Sequence, residues 1–237
     1  MALPKLQTPE YRLTLPSTQE EIKFRPFLVK EQKILMIAQE SGEEKQIADA
    51  MGSLVSGCTF GSVDSNVHPM YDIEYVFLQL RAKSVGEKIK LKLLCPDDQE
   101  TYAEVEIDIE DIGVQMSVEH SLVVDLTDTI KINLRHPYLK DIEGMGTDID
   151  MNDFEKMLHL IYACIVSVEH GDETTQRIDM TTGEITEFIE SFNTEQLEKV
   201  MKFFESMPKL RHVVDVVNPK TKVKGEVLLE GLESFLE

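Results

Sequence analysis

The sequence predicts an α+β fold: short antiparallel β-hairpins interspersed with helical blocks, and no parallel Rossmann-type sheet. Three observations predict it. Apolar residues alternate with polar ones over short runs that are joined by turn residues. Between those runs the apolar spacing switches to three and four, the helical period. No strand signal is followed by the glycine-rich turn and helix that build parallel α/β units.

The first hairpin is Tyr11, Leu13 and Leu15, a turn at Pro16-Ser17-Thr18, then Ile22 and Phe24, stopped by Pro26. Two helical patterns follow. Leu28, Ile34, Leu35 and Ala38 precede Ser41-Gly42, and Ile47, Ala50, Met51, Leu54 and Val55 precede Gly57. Residues 57–70, rich in Gly, Ser, Asn and Pro, read as a loop. A third helix is expected over Tyr71–Lys83, with Ile73, Phe77 and Leu80 on one face. Asp72 and Glu74 in its first turn, and Arg81 and Lys83 in its last, match the helix dipole.

The sharpest local pattern comes next. Lys88, Lys90 and Lys92 alternate with Ile89, Leu91 and Leu93, and after a turn Glu104, Glu106 and Asp108 alternate with Val105, Ile107 and Ile109. A hairpin centred on Asp98 sets Lys92 opposite Glu104, Lys90 opposite Glu106 and Lys88 opposite Asp108, with the aliphatics paired on the other face. A slip of one residue would exchange the faces, so the register is strongly specified. A further hairpin joins Leu122, Val124 and Leu126 to Ile130, Ile132 and Leu134 through Thr127-Asp128-Thr129, and Pro137 stops it. Residues 143–150 read as a loop. Helices are expected on the stripe Phe154, Met157, Leu158, Ile161 and Ile165 behind an Asp150 or Asn152 cap, and on Ile185, Phe188 and Ile189. A last one carries Leu197, Val200, Met201 and Phe204 behind an Asn193/Gln196 capping box. The chain ends in a strand (His212–Val217), a turn, a strand (Lys222–Leu229) and a short apolar tail. Two lobes are expected: residues 1–142, with a hairpin, three helices and two further hairpins, and residues 143–237, with helices, a hairpin and the tail.

Composition excludes several function classes. With 24 Lys and Arg against 44 Asp and Glu, the 237-residue chain has a net charge of −20. It would be repelled by nucleic-acid phosphates and by anionic membranes. No run approaches the apolar length of a membrane span, and Met1–Glu10, with Pro4 and Pro9, has no signal-peptide character. Cys58, Cys95 and Cys164 are odd in number and far apart, so neither a disulfide framework nor a zinc site is expected. Asp148-x-Asp150-x-Asn152 opens like a calcium loop but has Asp153 where the glycine belongs and His159 where the closing Glu belongs. The six histidines lack metal-binding spacing. No nucleophile elbow, P-loop or dinucleotide fingerprint is present, and Cys58 has no partner histidine that sequence can nominate. No enzyme, cofactor, metal or small-molecule substrate is expected.

Two segments carry a family resemblance. Ile22-Lys-Phe-Arg-Pro-Phe-Leu-Val-Lys-Glu-Gln-Lys-Ile-Leu35 and Asp72-Ile-Glu-Tyr-Val-Phe-Leu-Gln-Leu-Arg-Ala-Lys-Ser-Val-Gly-Glu87 resemble the baseplate hub assembly proteins of large contractile-tailed bacteriophages. The ending Leu229-Glu-Gly-Leu-Glu-Ser-Phe-Leu236 is similar to that family's. The resemblance implies a non-enzymatic assembly factor, chaperone or scaffold for the central hub. It would act in the host cytoplasm on hub or tail subunits, with self-association as a further expectation. Some members carry one cysteine pair where this chain has Asn218-Pro219-Lys220-Thr221 and another near Cys95. Only Cys95 remains here, and no metal site is carried over. The competing reading is an acidic adaptor or nucleic-acid mimic that binds a basic host or phage protein.

The candidate partner-binding residues are Arg25, Phe27, Arg81 and Lys83, which stand out as cations and an aromatic within the resembling segments, and Leu232, Phe235 and Leu236 of the tail. For Arg81 and Lys83 the alternative is simple complementation of the helix C-terminus. For the tail the alternative is docking on its own domain, because so short a segment cannot hold a helix alone.

Overall fold

The computed structural model describes residues 7–143 and 152–235. The chain begins with β1 (Tyr11–Thr14), β2 (Glu21–Phe24), α1 (Val29–Ser41), α2 (Glu44–Cys58) and α3 (Met70–Ser84). It continues with β3 (Lys88–Leu94), β4 (Tyr102–Asp108), β5 (Gly113–Gln115), β6 (Val123–Asp125), β7 (Ile130–Leu134), α4 (Leu139–Glu143) and α5 (Asp153–Cys164). The last elements are β8 (Ile165–His170), β9 (Glu173–Gln176), α6 (Thr182–Glu190), α7 (Thr194–Ser206), β10 (Lys209–Val217) and β11 (Lys224–Glu230). Every strand pair among the described residues is antiparallel, and the fold is α+β.

The chain forms two compact units, residues 1–115 with 209–237, and residues 116–208. These bounds differ from the lobes expected at 142/143. The reason is strand pairing between distant segments. β10 pairs with β5 (Leu210 opposite Val114), so the last hairpin completes the sheet of the first unit. β7 pairs with β8 (Ile132 opposite Val168), so a cut at 142/143 would divide one sheet.

In the first unit, β1 and β2 pair with Leu13 opposite Ile22. β3 and β4 pair in the expected register, Lys88, Lys90 and Lys92 opposite Asp108, Glu106 and Glu104. Lys92 reaches Glu104 at 3.7 Å, while Lys88 reaches diagonally to Glu106 at 2.9 Å. On the other face Ile89, Leu91, Ala103 and Ile107 are buried. α3 is more deeply buried than one apolar stripe predicts, because Val76, Leu78 and Ala82 are covered along with Ile73, Phe77 and Leu80. A helix covered on most sides is a core element. Its acids do more than complement the dipole. Asp72 is fully buried and accepts hydrogen bonds from the backbone N–H and the hydroxyl of Ser17, tying α3 to the β1–β2 turn.

The β3–β4 turn meets the β10–β11 turn through Asn218, which is buried. Its Nδ2 donates to Asp97 and Asp98, both at 2.9 Å, and its Oδ1 accepts the N–H groups of Lys220 and Thr221. Gly225 is required beside this clasp, because a Cβ there would stand 2.6 Å from Pro96 Cγ. Asn218→Ala leaves two backbone donors and two carboxylates short of a partner. It is expected to cost about 1–3 kcal/mol in urea unfolding, and an unchanged midpoint would refute the role of the clasp.

The second unit is the four-stranded sheet β6-β7-β8-β9 covered by α5, α6 and α7 around Ile132, Leu134, Ile161, Ile185, Val200 and Phe203. β8 and β9 are a correction to the sequence reading, which continued a helical stripe through Ile165. That residue instead opens β8 and pairs with Leu134 across a bulge. β-branched residues at 165, 166 and 168 favour extended backbone once the sheet supplies a partner. The Asn193/Gln196 box is present. Asn152 caps α5 by accepting the N–H groups of Phe154 and Glu155. Asp148, Asp150 and most of the expected 143–150 loop lie outside the described residues.

Candidate partner-binding site

The sequence-nominated residues divide by what they touch. Arg25, at the end of β2, is largely covered. Its guanidinium bonds Glu31 Oε1 at 3.0 Å and the carbonyl of Pro26, while its backbone N–H bonds the carbonyl of Cys58. Glu31 Oε2 in turn accepts the N–H of Leu28 at 2.7 Å. Burial works to raise the Glu31 carboxyl, but the Arg25 guanidinium and the Leu28 N–H outweigh it and hold the group below its usual range. Arg25 therefore pins the start of α1 to the end of α2. Phe27 is half-buried and its N–H donates to Ser84 Oγ at 3.0 Å. Lys83 pairs with Glu87, lies 3.6 Å from Glu110, and stands over the Tyr11 ring.

Arg81 is half-buried, and its Nη1 has no hydrogen-bond partner among the described residues. That atom is inaccessible, so it presents nothing to a partner. Leu232 and Phe235 are buried in the first unit, in a 3₁₀ turn against α3 and β11. The tail docks internally as far as Phe235, which corrects its nomination as an external anchor, because both side chains would have to leave the core. Leu236 lies outside the described residues.

One exposed apolar surface is α1, for which sequence analysis gave a helical pattern and no candidate site residue. Only Ala38 is buried. Val29 is 81% exposed, and Ile34, Met36 and Ile37 are 54%, 54% and 55% exposed. At about 100° per residue, Val29 and Met36 share the outward side, Ile37 and Ile34 follow round it, and Leu35 and Ala38 turn inward toward α2. These exposed apolar side chains, interleaved with the exposed Lys30, Lys33 and Glu40, make α1 a candidate interaction surface. The signal was in the sequence: four consecutive apolar residues, Ile34–Ile37, span most of a helical turn and cannot all face one core.

Catalytic candidates gain no support from their surroundings. Burial pushes the Cys58 thiol up to about 11, against the opposing pull of Arg25, and the Cys164 thiol up to about 12. Such thiols are poor nucleophiles. The fold does bring together two histidines that sequence spacing did not connect. His120 and His136 stack with Nε2 atoms 2.8 Å apart, and His120 Nδ1 lies 2.9 Å from Ser206 Oγ. Burial lowers both, His136 to about 4 with the neighbouring His120 adding to the shift, which favours the neutral rings that the Nε2–Nε2 contact needs for one to donate to the other. No group of three or more His, Cys, Asp or Glu side chains suited to a metal ion is found among the described residues. A groove of about 370 Å³ between α5 and α6 is lined by Leu158, His159, Tyr162 and Ile189. No helix among the described residues is long and apolar enough to cross a membrane.

The chain matches the model of the T4 bacteriophage base plate protein family over residues 8–237. It belongs to that family. The match spans both resembling segments and the chain between and after them, so the phage base plate assignment rests on nearly the whole chain. No curated protein and no solved structure matches it at a significant level. In this base plate protein the 22–35 segment runs from β2 into the exposed α1, whereas the 72–87 segment is mostly the buried α3. One resembling segment therefore supplies surface and the other core.

Proposed function

We propose that this base plate protein is a non-enzymatic assembly factor that holds a subunit of the central hub in the infected cell's cytoplasm until assembly replaces the contact. The observation that carries the reading is the exposed apolar face of α1 in a member of a phage base plate family. Covering each half-exposed aliphatic contributes on the order of 1 kcal/mol, and association carries its own entropic cost. Four such side chains make a reversible grip, which suits a contact that must later be exchanged. The net charge of −20 would speed encounter with a basic partner surface and discourage acidic ones.

The test is capture of hub subunits from phage-infected cells by tagged protein. Ile37→Glu changes an exposed position, so stability should stay within about 0.5 kcal/mol of the parent. Capture should fall about tenfold or more, as for loss of a central apolar contact. Hub capture undiminished by the substitution would remove α1 from the role. Failure of the parent protein to capture any hub subunit would remove the role itself.

A further inference from the structure

The β10–β11 hairpin breaks a rule that the same chain obeys elsewhere. On the exposed face of β3–β4 a lysine stands opposite each acid. On the outward face of β10–β11 the successive cross-strand pairs are Arg211 with Glu230, Val213 with Leu228, Asp215 with Glu226, and Val217 with Lys224. The first is an ion pair at 2.7 Å, and Lys209 adds a second contact to Glu230 at 2.8 Å. Asp215 and Glu226 are like charges directly opposite one another, which destabilises a hairpin. Among the described residues no cation lies within ion-pair distance of either. Beside them Val213 and Leu228 are 50% and 55% exposed. Two acids in so acidic a chain would mean little alone. An uncompensated facing pair next to an exposed aliphatic pair, on a hairpin whose other face is packed, is a surface with an unmet charge and an unmet apolar contact.

We propose that this face docks a segment of a base plate partner protein that places a lysine or arginine between Asp215 and Glu226 and an aliphatic side chain on Val213 and Leu228. Charge complementarity selects the occupant: a second copy of so acidic a chain brings repulsion, whereas a basic-aliphatic segment satisfies both features at once. The inference extends the assembly-factor reading with a second contact, separate in sequence from α1.

The experiment uses the full chain in infected cells with the photo-cross-linker benzoylphenylalanine at position 213 or, separately, at position 37 of α1. Cross-linked peptides are then located by mass spectrometry. Position 213 is expected to label a base plate subunit at a segment where a lysine or arginine adjoins an aliphatic residue. Glu226→Lys supplies an internal cation opposite Asp215. It should raise Tm by about 1–3 °C while lowering the position-213 yield about tenfold, as for a reversed charge contact. A merely structural acid pair would give the gain in Tm with no loss of cross-linking, and that result overturns the proposal. So does labelling of a second copy, or of a segment without a cation. Labelling from position 37 but not from 213 overturns this inference and leaves the hub reading standing. Labelling from 213 confined to base plate subunits outside the hub supports the docking face and overturns the hub assignment.

Discussion

Phe235→Ala is expected to destabilise the first unit by about 3–5 kcal/mol, the cost of deleting a fully buried aromatic and leaving a cavity. Phe235 has no exposed surface. It is delivered to the core by a sharp turn at Gly231, whose φ of +76° is a conformation that side-chain-bearing residues seldom adopt. The Gly231 N–H donates to the carbonyl of Leu210 at 2.9 Å, fixing the direction in which the chain leaves β11. Leu232 and Phe235 then pack against α3. Urea unfolding followed by a probe in the first unit should show an earlier transition at an unchanged slope. A loss below about 1 kcal/mol, the range of ordinary surface substitutions, would mean that the aromatic ring is not a core element and would reopen the tail as an external anchor.

Glu74→Gln is expected to act in the other direction, and only above mildly acidic pH. Glu74 is buried on α3 and accepts the backbone N–H of Leu232. Burial is the main cause that raises its carboxyl to about 7, Glu233 adds to the rise, and Lys209 opposes it. A folded-state pKa above the ordinary 4.5 means that the native state holds its proton more tightly than the unfolded chain. The resulting stability is fully present below pH 4.5 and is lost as pH rises through 7, a total on the order of 3 kcal/mol. Glutamine keeps an oxygen for the Leu232 N–H and cannot ionise. The variant should therefore be more stable than the parent at pH 8 by about that amount and nearly equal to it at pH 4.5. The carboxylates held below their usual range, Asp97, Asp98, Glu31, Glu106 and Glu230, act at the acid end, where their contribution is lost as pH falls. The two windows are thus separable in a pH series of unfolding curves. Parallel parent and variant curves from pH 4.5 to 8 would overturn the assignment of Glu74 as the titrating group.

These two side chains illustrate how sequence and structure divided the information about a site. The apolar tail was visible as Leu232, Phe235 and Leu236, but its direction was not, because a short segment has no stable conformation until it meets a surface. Glu74 was visible as an acid in the first turn of a helix. Its burial was not, because an amphipathic stripe at Ile73, Phe77 and Leu80 fits equally well a helix covered on one side and a helix covered on most sides. In the candidate binding surface the reverse occurred. The 22–35 segment was singled out through Arg25 and Phe27, whose hydrogen bonds proved to be internal, while the exposed aliphatics of the adjoining α1 were noted only as a helical pattern. Helical spacing states which residues share a face and is silent about which face meets solvent.

By itself the sequence determined the elements whose physics is local. The β3–β4 register follows from alternation of lysines, acids and aliphatics over one short turn. The Asn193 cap follows from a side chain that satisfies an N–H group three residues away, whereas for α5 the sequence left Asp150 and Asn152 as alternatives and the structure shows Asn152. The α+β class follows from the alternation of the two periods, and the resembling segments by themselves pointed to the phage base plate. The tertiary structure alone decided what depends on distant pairing. It placed β10 against β5, and so made residues 116–208 a separate unit. It converted the stretch after Cys164 from helix to strand by offering β7 as a partner, joined Asn218 to Asp97 and Asp98, and left α1 uncovered. Each of these depends on free energy gained only when segments dozens of residues apart meet, and no window along the chain contains both partners.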